Sequence, residues 1–69
     1  MRLFIEDLKG YTDVYDNVRS VFIRKVDNKN TIELSYINKT EKDYIPLNEI
    51  RLAFLVDLNN MEEYFRYER

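Results

Sequence analysis

The sequence predicts a mainly β fold: a meander of five to six antiparallel strands, curled into a small barrel or a strongly twisted sheet, with a short helix at the C-terminus. Two observations carry that reading. Residues 21 to 37 hold two runs of alternating apolar and polar side chains on either side of Asp27-Asn28-Lys29-Asn30, and residues 50 to 57 hold a mostly apolar run, the most apolar strand of the chain. Alternation with period two marks a strand with one buried face, and a short polar break between two such runs marks a hairpin. If Asp27 pairs with Asn30, then Val21, Ile23, Ile32, Leu34 and Tyr36 share a dry face. Arg24 then lies opposite Glu33 on the wet one.

The elements follow in order along one small domain, residues 1–69. A first strand is expected over residues 2–8, with Lys9 and the only glycine, Gly10, as a two-residue reversal. A second strand over 11–16 returns, placing Ile5 opposite Val14 and, unfavourably, Glu6 opposite Asp13. Strands over 18–26 and 31–37 form the central hairpin. Asn38 to Lys42 lacks any apolar residue and reads as the next turn. Residues 43–45 resume an extended conformation until Pro46, which has no N–H to give a ladder. Pro46 to Glu49 reads as one turn of 3₁₀ helix leading into the strand 50–57. In that strand Ile50, Leu52, Phe54 and Val56 share one face, and Phe54 is assigned to the core along with Tyr36. Asn59 or Asn60 caps a short helix over 60–67, in which Met61, Tyr64 and Phe65 follow helical spacing and dock on Leu55, with Glu62 and Arg66 paired one turn apart.

The segment Tyr44-Ile45-Pro46-Leu47-Asn48-Glu49-Ile50, a one-turn helix before the last strand, resembles that of a small SH3-like barrel. It is also similar to segments of bacterial pleckstrin-homology-like sheets and of the small β-domain of YolD-like proteins. The resemblance is local and covers some thirty residues. The acidic and tryptophan signature of peptide-binding SH3 domains is missing, so recognition of proline-rich ligands is not implied.

Composition excludes most chemistry. The chain has no His, Cys or Trp, one Gly and one Pro, and a net charge of −2 from 13 acidic and 11 basic side chains. Disulfides, thiolate zinc sites and imidazole chemistry are ruled out, and one glycine makes neither a phosphate-cradling loop nor a dinucleotide fingerprint. Glu6, Asp7, Asp13 and Asp16 gather at the first hairpin, where a hard cation would accept such oxygens. They lack calcium-loop spacing, however, and read as solvated edge charges. Ser20, Ser35, Thr12, Thr31 and Thr40 have no base to activate them. No enzymatic activity, metal or cofactor is expected.

Lys25, Lys29, Lys39 and Lys42 are interspersed with Asp27, Glu41 and Asp43, a solubilising pattern rather than a phosphate-binding surface. Acids break the first apolar run after Ile5, short of a signal-peptide core, and no stretch approaches the length of a membrane span. The expected location is the cytoplasm. So small a core leaves self-association open.

The surplus lies in the aromatics, six Tyr and four Phe. Phe22, Tyr11, Tyr15, Tyr44, Tyr64 and Tyr67 are the candidates for contact with a partner. The expected function is that of a small non-catalytic module acting through protein–protein contacts. Its partner is another protein, a second copy included. The residue usage looks like that of an AT-rich genome, and the size fits the accessory proteins of phages and mobile elements that bind a host factor. A single-stranded nucleic-acid binder built on barrel aromatics and a structural homo-oligomer are the alternatives.

Overall fold

Seven strands and a single 3₁₀ turn make up the regular structure in the computed structural model, which describes residues 1–69. The strands are β1 (Arg2–Asp7), β2 (Thr12–Tyr15), β3 (Val18–Val26), β4 (Lys29–Tyr36), β5 (Asp43–Pro46), β6 (Ile50–Asp57) and β7 (Glu62–Glu68), and the 3₁₀ turn Leu47–Glu49 lies between β5 and β6. They form two antiparallel sheets, one of four strands in the order β2-β1-β6-β7 and one of three in the order β3-β4-β5. Leu3, Ile5, Ala53 and Leu55 from the first meet Val18, Ile32, Leu34 and Tyr36 from the second, and Ile50 completes the buried core. The sheets are joined where Met1 and Val18 exchange two hydrogen bonds, of 3.0 and 2.9 Å. Elsewhere they part, leaving β2, β7, β3 and β5 as edges. The expected barrel is therefore not closed, because closure requires pairing along both seams.

The central hairpin turns more tightly than the sequence reading proposed. Asp27 and Asn28 both take positive φ, 50° and 67°, as a two-residue type I′ turn requires. Val26 pairs with Lys29, and the register is shifted by two residues, so that Phe22 faces Glu33, Ile23 faces Ile32 and Arg24 faces Thr31. An even shift preserves faces and changes only partners. The first hairpin is shifted by one instead. Leu8 to Gly10 form a three-residue loop, with the Gly10 N–H donating to the Asp7 carbonyl at 3.1 Å and Gly10 at φ 93°. The Asp7 carboxylate accepts from the N–H groups of Lys9 and Tyr11, both at 2.9 Å. Glu6 now faces Thr12 rather than Asp13, which removes the opposition of like charges.

Two further expectations are corrected. In β6 the core residues are Ala53 and Leu55, while Leu52, Phe54 and Val56 face outward and are only half-buried. A bulge, where the register with β1 shifts between Glu6 and Asp7, returns Ile50 to the inner side. Phe54 is thus an outer-face residue. The C-terminal helix is replaced by β7, in which Phe65 and Tyr67 pack on the core side opposite Leu55 and Ala53. A helix of eight residues is marginal, whereas a strand of Tyr and Phe suits a sheet and covers the edge of the most apolar strand. Glu62 and Arg66 consequently do not pair; Arg66 instead holds Glu63 and Glu68, both at 2.6 Å. No helix is long and apolar enough to cross a membrane.

Candidate functional site

The outward face of the three-stranded sheet is organised by β4, which places a charged residue, Glu33, between Ile32 and Leu34. Alternation turns Ile32 and Leu34 into the core and Thr31, Glu33 and Ser35 outward. Flanking strands cover these groups: Thr31 and Glu33 are 3% and 7% exposed although neither faces the interior of the molecule. Phe22 on β3 and Tyr44 on β5 lie opposite Glu33 on either side, in one cross-strand row. Both aromatics are half open to water, at 52% and 51%.

The polar groups beneath them are matched. Arg24 donates from Nε to a Glu33 carboxylate oxygen at 3.0 Å, and Lys42 brings its ammonium within 3.8 Å of the same oxygen. The Arg24 guanidinium also lies 5.7 Å from the centroid of the Phe22 ring, within cation–π range. The Thr31 hydroxyl donates to the Lys29 carbonyl at 3.1 Å, and the hydroxyls of Ser20 and Ser35 bond to each other. No buried side-chain polar atom is left without a partner. The arrangement is a fixed platform of two aromatics over a neutralised acid, suited to an amphipathic surface with an apolar body and a few hydrogen-bonding groups.

The other aromatic candidates are dispersed. Tyr11 stands at the first hairpin and is exposed. Tyr64 is exposed on β7, its hydroxyl donating to Glu62 at 2.9 Å. Tyr67 is half-buried against the core and lines the largest surface depression, of about 610 Å³, with Leu47, Lys29 and Arg69. Tyr15 faces inward near Asp13, Asp43 and Tyr36; burial first, and then the charges of the two carboxylates, push its phenol up. The Tyr36 phenol is pushed well above the usual range, by burial and by the hydrogen bond it donates to the Asp43 carboxylate. The structure thus brings together two of the six candidates, Phe22 and Tyr44. Glu33 and Lys42 complete the site without having been singled out as site residues, and the available signal was an acid between two core positions of the most buried strand.

The acids of the first hairpin go to separate partners. Glu6 pairs with Arg51, Asp16 with Arg2, and Asp7 with its own turn. No group of three or more potential metal ligands converges anywhere in the chain. Compared with protein-family models, with curated proteins and with solved structures, the chain finds no match in any of the three.

Proposed function

We propose that the chain is a small non-catalytic binding module that recognises another protein through the outward face of its three-stranded sheet. One observation carries the reading: Phe22 and Tyr44 flank the buried, cation-matched Glu33 in a single row and are each half exposed. Anchoring aromatics with a hydrogen-bonded acid between them supply both contact area and orientation. The net charge of −2, with cations interspersed among acids, favours protein over nucleic acid, since a phosphate backbone is bound by clustered Lys and Arg. We further infer an SH3-like architecture left open along one seam. It is supported by the 3₁₀ turn leading into a strand that returns to pair with the first. A cytoplasmic accessory protein of a phage or mobile element, acting on a host factor, is the biological setting that size and composition favour.

The test is affinity capture from a bacterial lysate, with the intact chain and the Phe22→Ala, Tyr44→Ala double variant side by side, each run with and without nuclease treatment. A protein retained by the former and lost by the latter, with both folded by circular dichroism, is the expected result. Retention of single-stranded DNA or RNA that falls steeply with salt, in place of a protein, would refute it.

A further inference from the structure

The longest free edge in the molecule belongs to β3, which is nine residues long and hydrogen-bonded to β4 on one side only, apart from the Met1–Val18 step. The two-residue turn makes Val26 and Lys29 the closing hydrogen-bonded pair. By alternation, the backbone groups of Val21, Ile23 and Lys25 then point away from β4. A register shift between Val18 and Ser20 and the charges of Arg24 and Lys25 blunt this edge in part, yet Phe22, Ile23 and Val26 are all exposed within five residues. Ile23 also stands at the open end of a cross-strand row, Ile23–Ile32–Ile45, whose centre is fully buried. Arg19, Lys25 and Asp27 take part in none of the ion pairs of the chain.

We propose that a second copy of the chain occupies this edge, paired antiparallel through β3 about a two-fold axis at Ile23. In that register Ile23 meets the partner's Ile23, and the isoleucine row runs unbroken through six strands. Arg24 falls opposite the partner's Phe22, Lys25 opposite the partner's Val21, and Arg19 comes beside the partner's Asp27. Each charge left single in one copy thereby gains an opposite charge or an apolar neighbour, and no cation faces a cation. The adjacent two-fold registers lack this property: centring on Phe22 sets Lys25 against Arg19, and centring on Arg24 sets that residue against its own copy. A two-fold edge pairing is self-complementary and closed, so it stops at two. It also builds one outward face on which the partner's Arg24 borders Phe22, joining two copies of the platform. The pairing extends the protein-binding reading and stands on different residues, Ile23, Arg19 and Asp27.

Sedimentation velocity of the intact chain across a dilution series tests it. The expected species has about twice the chain mass of 8.5 kDa. Ile23→Lys, which sets like charges against each other on the axis, is expected to raise the dimer dissociation constant by about tenfold or more. Arg19→Asp weakens the dimer, and Arg19→Asp combined with Asp27→Arg restores it. Ile23 and Arg19 are exposed, and because Asp27 holds φ 50° in the turn, folding of every variant is checked by circular dichroism. Because the chain has no cysteine, Ile23→Cys offers a reading of register: mild oxidation should link two copies, since opposed residues in a hydrogen-bonded pair are about 5.5 Å apart at Cα, within disulfide reach. A monomer at every concentration, a dimer indifferent to Ile23→Lys and to the charge exchange, or faster linkage through Val26→Cys would overturn the proposal. A monomer that still captures a protein through Phe22 and Tyr44 would leave the platform standing and remove the dimer alone.

Discussion

On the outward face of the four-stranded sheet, Phe4 and Phe54 stack with ring centroids 5.0 Å apart, and Arg66 lies 5.3 Å from the centroid of the Phe54 ring. On the three-stranded sheet, Phe22 and Tyr44 stand apart with Glu33 between them. The first pair cover each other and are half-buried, and ion pairs surround them: Glu6 with Arg51, Arg2 with Asp16, and Arg66 with Glu63 and Glu68. The second pair are open, and nearby Arg19, Lys25 and Asp27 are single. Similar residues thus serve two purposes. Aromatics that satisfy one another contribute to the stability of the chain, and aromatics held apart over a polar floor remain available to something else.

Mutation can break this contrast from either side. Leu34→Ala sets the scale: its side chain is fully buried beneath both sheets, so truncation should cost about 2–5 kcal/mol and leave so small a domain largely unfolded in a denaturant titration. Phe54→Ala removes a stacked but only half-buried ring and should cost about 1–2 kcal/mol. A loss as large as that of Leu34→Ala would make the outward stack part of the core.

Alkaline titration probes the sheets' meeting point independently of either outward face. Tyr15 and Tyr36 both have folded pKa values above the ordinary tyrosine value of 10.0. Above that value the unfolded chain releases protons that the folded chain keeps, so stability is fully present below about pH 10 and is lost as pH rises further. Tyr36→Phe should flatten that loss in melts taken across the range. At the small end, Met61 holds φ 58° without being glycine, and Met61→Gly should gain up to about 1 kcal/mol by relieving it. Phe22→Ala should change stability by no more than about 0.5 kcal/mol while abolishing capture of the partner. A marked drop in melting temperature would move Phe22 into the same class as Phe54.

The central hairpin and its two faces are legible in the sequence because alternation survives an even slip: Arg24 and Glu33 fall on the outer side in either register. The turn itself was misjudged, since Asp27-Asn28 lacks the glycine that usually announces a two-residue type I′ connection. At β6 both faces are apolar, so the larger side chains Leu52, Phe54 and Val56 pointed to the wrong one, and Ala53 and Leu55 are the residues buried against the core. At β7, Met61, Tyr64 and Phe65 follow helical spacing, while Phe65 and Tyr67 also fit the alternation of a strand. The choice was made by the open edge of β6, which lies outside that segment. Within the site, Phe22 and Tyr44 were legible as surplus aromatics, but their meeting across Glu33 depends on the β4–β5 register, and the featureless turn after Tyr36 does not encode it.

The pairing of β1 with β6 has a kinetic consequence. Arg2 is set against Val56, so the strand that begins the chain finds its central neighbour only near the other end. The hairpin β3–β4 needs just a two-residue closure and should form early. The four-stranded sheet must wait for a loop of about fifty residues to close, which adds entropy cost before any core contact offsets it. Both the β1–β2 and the β3–β4 hairpins can form locally, so the late step is the joining of β1 to β6, which completes the four-stranded sheet.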